Sequence, residues 1–379
     1  MAAGIGRRRF LKGTAVVGLS LCTPAIIRAA PFERESASDV TFLFINDVHA
    51  CRIGDGLSPH CADEGKTDTN LLRHVRALNS ITKQNWPTEI DGAHTGLASA
   101  GQPVARPRGV IVCGDITDDG GGQTAEPREG PQLLQFSRRY QQGTGTDRVH
   151  FPVYVGLGNH DLDQDGRPPN VNWYRDELRE YVRLNHKPSA FFQPIVPVDN
   201  YDTLSDNYSW NWGHLHLIQA QRFAGDTTKG AISSLAWLKA DLETYAADGR
   251  PVVIFQHYGW DYFSRERWDP ARRTFDDSGS GAPHWWGDEE RQALLDLLGG
   301  YNIAGIFHGH EHDNAMIYRV DGYDIFKAKA AFMGGFGIAR FHGQTMDIVL
   351  GEASNDSGGV VFTAAYSKEL LSGNYAVTP

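Results

Sequence analysis

The stretch Arg108-Gly-Val-Ile-Val-Cys-Gly-Asp-Ile-Thr-Asp118 decides how the rest of the chain is read. Val110 to Cys113 is a short apolar, β-branched run, the pattern of a buried strand. It stops at Gly114, where the backbone can turn tightly, and then presents Asp115. A carboxylate at the C-terminal end of a buried strand is a common place for α/β proteins to hold a ligand. A single Gly-Asp pair also fits ordinary turn chemistry, so the reading depends on whether other strands end in the same way.

Four more do. Val40–Ile45 runs into Asn46-Asp-Val-His49, and Phe151–Leu157 into Gly158-Asn-His-Asp161. Pro251–Phe255 is followed by Gln256-His257, and Ile303–Phe307 by His308-Gly-His-Glu-His312. Helical patterns lie between them: Asn70–Leu78, Pro131–Gln141, about Trp173–Leu184, Leu235–Ala246 behind a Ser233-Ser234 cap, and Asp288–Leu298. Asn207–Ile218 alternates across a Gly turn, which predicts paired strands with His214 and His216 on one face as structural groups. Residues 317–379 read as antiparallel strands. Strands alternating with helices, then further strands, predict a layered α/β sandwich and not a purely parallel sheet.

Strand ends in one sheet converge, so Asp47, His49, Asp115, Asp118, Asn159, His160, His257, His310 and His312 should meet in one cleft. The two-residue spacing of Asp47/His49 and of His310/His312 matches strand alternation and puts each pair on one side. Mixed carboxylate, imidazole and amide donors suit iron, zinc or manganese better than calcium.

In order and wording these stretches resemble the calcineurin-like metallophosphoesterases, whose pattern is DxH, GDxxD, GNH[DE], a lone His and GHxH. Here they read DVH, GDITD, GNHD, QHYG and GHEH, spanning Asp47 to His312. The resemblance implies a four-layer α/β/β/α sandwich, two mixed sheets flanked by helices. It implies two divalent or mixed-valence metal ions, one held by Asp47, His49, Asp115 and His312, the other by Asp115, Asn159, His257 and His310. Asp115 is then the bridge. His160 is the catalytic non-ligand, with Asp118 placed to orient it. The reaction implied is hydrolysis of a phosphate mono- or diester by a hydroxide bridging the ions. Two cations about 3.5–4 Å apart clamp the attacking and leaving oxygens of an in-line displacement. A neighbouring imidazole that protonates the leaving alkoxide contributes about 10²–10⁴-fold. Asp118 stands where the purple acid phosphatase branch carries Tyr, which argues against an iron–tyrosinate site and leaves iron, zinc and manganese open.

After His257 the chain is rich in aromatic and basic residues. In this family the stretches after strand ends line the substrate pocket, so Arg265, Arg267 and Trp268 are expected there, binding phosphate oxygens or covering an apolar or sugar moiety. The same fold also serves as a non-catalytic interaction scaffold. Such members lose ligands or the catalytic His, and this chain keeps all of them.

Residues 1–30 read apart from the fold. Arg7-Arg-Arg-Phe-Leu-Lys12 precedes the apolar run Gly13–Leu21, and Arg28-Ala-Ala30 ends in small residues, the pattern of a removable signal peptide. Its core resembles the twin-arginine signal, which implies the Tat export machinery as a partner and a periplasmic or secreted location. Leu21 is too bulky for lipid attachment at Cys22. Residues 31–379 then form one domain with insertions at about 50–107 and 259–287, and no stretch of it is long and apolar enough to span a bilayer. Without the first 30 residues the chain has 31 basic and 46 acidic residues, a formal charge of −15. That surface disfavours nucleic acid, and with it a nuclease of the same fold. Cys51 and Cys61 can pair in an oxidising compartment, and Cys113 is expected in the core.

Overall fold

The structure, a computed structural model, describes residues 39–51, 59–118, 132–142, 145–162, 173–186, 196–275 and 281–370. The expected signal segment lies outside them.

The strand Val40–Ile45 is apolar, six residues long and buried throughout. It lies inside a six-stranded sheet, pairing in parallel with Val110–Val112 and antiparallel with Gly335–His342. Val153–Tyr154 extends the sheet on the first side, and Thr345–Ala353 and Val360–Glu369 extend it on the other. The second sheet has seven strands. Its middle is four parallel strands in the order Tyr323–Lys327, Ile303–His308, Val252–Phe255, Leu215–Gln219. Antiparallel partners Met316–Val320 and Tyr208–Trp212 flank these four, with Asn200–Tyr201 beyond the latter.

Strand periodicity sets the layers. Val253 and Phe255 point into the core between the sheets, while Val252 and Ile254 join a second cluster on the outer face. Phe42 packs on Phe255 at 5.7 Å between ring centroids and Phe44 on Phe307 at 4.7 Å, so the two sheets meet through aromatic pairs. Leu238 and Leu242 of the helix Leu235–Tyr245, with Leu294 and Leu298 of the helix Asp288–Leu298, cover the second sheet. Leu71, Val75 and Leu78 of the helix Asp68–Ser80 join the core cluster of the first sheet. The fold is the expected α/β sandwich of two mixed sheets with flanking helices.

Several local expectations are corrected. The helix Asp68–Ser80 starts earlier than its apolar pattern because Thr67 caps it, its side chain accepting from the Asn70 amide at 3.3 Å. Ser234 precedes the helix Leu235–Tyr245 without capping it through its side chain, because its hydroxyl donates to the Ala224 carbonyl at 2.6 Å, while the Ser233 hydroxyl accepts from the Leu235 amide at 3.5 Å. Phe151–Leu157 yields a strand only at Val153–Tyr154. His214 and His216 do not share a strand face. His214 sits exposed in the hairpin turn after Gly213, whereas His216 is buried and bonded to Asp241 at 2.8 Å. The region 259–287 contains a small sheet in which Arg267–Asp269 pairs with Thr274–Phe275 and Ala282–Pro283. Cys51 and Cys61 form a disulfide with their Cα atoms 6.0 Å apart, and Cys113 is a buried free thiol.

Candidate metal centre

The strand ends converge as expected, but the side chains are aimed by turns and not by strand alternation. Val40–Ile45 ends before Asp47, and Ile303–His308 ends before His310. Asp47, His49, Asp115 and His310 all have positive φ, at 52°, 45°, 52° and 77°. L-residues rarely adopt this region, and it costs free energy unless the surroundings hold it. Backbone bonds lock the turns together: the Asp47 amide donates to the Gly114 carbonyl at 3.1 Å, and the His49 amide to that of Asp115 at 3.0 Å.

Two groups of donor atoms result, Asp47/His49/Asp115/His312 and Asp115/His257/His310, with Asp115 common to both. Its Oδ2 lies 3.0 Å from His257 Nε2 and 3.6 Å from His49 Nε2. Asn159 joins the second group, its Oδ1 being 3.0 Å from His257 Nε2. Glycine permits this approach. A Cβ at Gly158 would sit 2.7 Å from the Asp115 nitrogen and 2.8 Å from its Cγ, and one at Gly309 would sit 2.8 Å from Asp47 Oδ2.

The donors fit cations. His257 Nδ1 bonds to the Cys113 carbonyl at 2.8 Å and His49 Nδ1 to Asp118 at 2.9 Å, which leaves both Nε2 atoms to face inward. His49 Nε2 lies 3.1 Å from His312 Nε2, a close approach of two ring nitrogens that a shared cation satisfies. His310 Nε2 is buried and has no hydrogen-bond partner. Two ions in this set would be held by the residues named for each above.

Electrostatics follow from the clustering. Burial opposes the charge on Asp47, yet His312 and His49 hold its carboxyl well below the usual range. Asp115 is likewise lowered, burial being overcome by His257, His160 and His49. Burial also disfavours charge on His257, but Asp115 raises it to about 9 in the absence of metal. Burial and the neighbouring His257 keep His310 well below the ordinary imidazole value.

His160 stands beside the cluster, its ring 4.6 Å from that of His49, and its amide donates to Asp115 Oδ1 at 2.9 Å. Asp118 meets it through the main chain: His160 Nδ1 bonds to the Asp118 carbonyl at 2.7 Å, while the Asp118 carboxylate goes to His49 and, at 2.7 Å, to Lys66. Burial lowers the His160 pKa, but Asp115 and the Asp118 carbonyl raise it more.

The expected substrate residues lie on the stretch after His257. Arg265 is exposed, Arg267 is bonded to Gly281 and Asp288 at 3.0 Å each, and Trp268 packs on Phe275. From that stretch, the rings that reach the cluster are Trp285, Phe263 and Tyr258, at 4.3, 4.7 and 4.7 Å from His310. Sequence reading grouped these rings with the rest of the loop and did not single them out.

Three structural contributors carry less sequence signal. Asp161 accepts from the amides of Ile116, Thr117 and Gly158, pinning one motif loop to another, and only its place in GNHD marks it. Lys327 is fully buried and donates to the Glu311 carbonyl at 2.5 Å, holding the turn between His310 and His312. Nothing in the sequence distinguishes it, or Lys66, from other lysines.

A family model described as calcineurin-like phosphoesterase matches residues 40–314. In fold the chain is similar to a dimetal phosphatase from Danio rerio, at 15% identity over 88% of this chain and 99% of that one, with a TM-score of 0.52. It is also similar to the structure of PhoD, at 9% identity over 90% and 71% of the two chains, with a TM-score of 0.50. No curated protein matches the chain in sequence.

Proposed function

Because the chain belongs to the calcineurin-like phosphoesterase family and is therefore a metal-dependent phosphoric ester hydrolase, we propose that it is an exported dinuclear enzyme that cleaves phosphate mono- or diesters. The observation that carries this reading is the sharing of Asp115 between two donor groups with His160 at their edge. Asp47, His49, Asp115 and His312 would hold one ion, and Asp115, Asn159, His257 and His310 the other. When bound, such ions supply an easily deprotonated water and neutralise the phosphoryl oxygens. The protein's own part is positioning and proton transfer. His160, fixed through Nδ1 by the Asp118 carbonyl, presents its other ring nitrogen for proton donation to the leaving oxygen. Asp118 acts on the site through His49, and Arg265, Arg267 and Trp268 would bind phosphate oxygens or cover an apolar or sugar moiety of the ester.

The twin-arginine pattern at Arg7–Lys12 supports export and removal of residues 1–30, leaving a single domain from 31 to 379 in the periplasm or outside the cell. The test is metal analysis of the purified mature chain together with turnover of nitrophenyl phosphate and bis(nitrophenyl) phosphate. Two equivalents of iron, zinc or manganese with turnover of either ester are expected. Bound metal with no turnover of either would favour a non-catalytic scaffold.

A further inference from the structure

Lys66 belongs to none of the motifs, yet it is only 6% exposed, and its ammonium reaches Asp118 Oδ1 at 2.7 Å. The same Asp118 oxygen is 2.9 Å from His49 Nδ1. The ammonium also lies 5.7 Å from the centroid of the Phe332 ring, which packs against His49 and His312 at 5.5 and 5.3 Å. A second feature delivers it there. The Lys66 amide donates to the Cys61 carbonyl at 2.7 Å, and Cys61 is bridged to Cys51, two residues beyond His49. Cys51 Sγ lies 3.4 Å from Asp118 Oδ2, and the Asp118 amide donates to the Ala50 carbonyl at 3.2 Å. Disulfide, lysine and aspartate thus form one closed assembly behind His49.

We propose that Lys66, delivered by the Cys51–Cys61 disulfide, is a positioning residue for the metal ligand His49. The inference rests on the dinuclear reading of the site. Its physical content is tautomer and orientation. Asp118 accepts the Nδ1 proton of His49, which keeps Nε2 free as a donor to metal. A carboxylate so enclosed is costly without a counter-charge, and Lys66 supplies it while fixing the oxygen that faces His49. Burial disfavours the ammonium, but Asp118 and Glu64 raise its pKa, so the cation persists across the neutral range. Without Lys66, Asp118 is released to turn away, and His49 can carry its proton on Nε2, where it blocks coordination. The effect is confined to one ion, because His257 is oriented separately by the Cys113 carbonyl.

The test is equilibrium dialysis of the metal-free full-length mature chain against zinc or manganese, with Lys66→Met, Lys66→Arg and Cys51→Ser/Cys61→Ser compared to the unaltered protein. Serines avoid the new thiol ligands that reduction would create. Loss of outer partners of metal ligands typically costs about 10–100-fold in affinity, and Lys66 acts one residue further out. Lys66→Met should therefore weaken one of two ions by about tenfold and leave the other within about threefold. The metal-free protein should also melt lower, because Asp118 loses its counter-charge, so the selective loss of one ion is the readout that a merely structural role would not give. Lys66→Arg should restore the affinity, and the serine pair should weaken the same single ion. Unchanged affinity in Lys66→Met, or equal weakening of both ions, would overturn the proposal. Failure of the unaltered chain to bind two ions would instead overturn the dinuclear reading and this inference with it.

Discussion

Replacing Gly158 by Ala tests the centre without removing any ligand. The added Cβ would lie 2.7 Å from the Asp115 nitrogen and 2.8 Å from its Cγ, and closer still to Oδ1. Real Cβ atoms essentially never come within 3.0 Å of another heavy atom, so Asp115 or the turn at Gly158 must withdraw. Neither is free to do so. Asp115 is fixed by the His160 amide at 2.9 Å, and the Gly158 amide is held by Asp161 at 2.9 Å. A misplacement approaching 1 Å at a reacting centre is worth about 10²-fold in rate, and overpacking of this kind costs about 1–3 kcal/mol of stability. Because Asp115 serves both donor groups, both ions should weaken together. The assay combines metal titration, nitrophenyl phosphate turnover and a thermal melt of the metal-free protein. A folded Gly158→Ala protein that binds both ions normally and turns over within about twofold of the parent would refute the claim that Asp115 needs this clearance.

Three further outcomes are expected. Asp115→Asn should lose metal and activity together, whereas His160→Ala should keep both ions and lose about 10²–10⁴-fold on alkyl phosphates but far less on nitrophenyl esters, which need no proton; metal loss in the His160 variant would contradict its role. With His257 raised to about 9 by Asp115, metal uptake at pH 7.5 should release about one proton per chain, measurable by calorimetry in buffers of different ionisation enthalpy; the same pair should stabilise the metal-free protein fully below about pH 6.5 and lose that contribution as pH rises through about 9. Arg7→Lys with Arg8→Lys should abolish export, read by cell fractionation, and normal export of that variant would remove the twin-arginine reading.

What the sequence made legible was local. Val40–Ile45 and Val252–Phe255 are apolar runs whose ends announce themselves by a change of chemistry, and strand ends in one sheet converge. The spacing of Asp47 and His49 was legible too, but its explanation was not. Strand alternation predicts the same side, and the structure achieves it by left-handed turns beyond the strand. Contacts between distant segments left no trace in the pattern. Lys66 reaches Asp118 across 52 residues, and Lys327 holds a turn that precedes it by 13 to 16. His214 and His216 looked equivalent by spacing, yet a two-residue turn separates their fates. Arg265, Arg267 and Trp268 were chosen by residue type, which says what a side chain can bind and leaves its place in the loop to the fold.

The positive φ angles give the centre its logic. Of the nine non-glycine residues with positive φ among those described, four are candidate ligands, so the strain is concentrated where donors must converge. Asp and His tolerate the left-handed region better than most residues, which eases Asp47, Asp115, His49 and His310. Each such residue costs on the order of 1–3 kcal/mol unless its surroundings over-determine it. Here they do. The Asp47 and His49 amides are bonded to the loop of Asp115, and the His310 amide donates to Asp47 at 3.0 Å. The turns that carry donors for each ion therefore hold one another in place through main-chain amides. Those turns sit at the ends of strands fully buried in the core, so the free energy that sustains the strain comes from the sandwich itself.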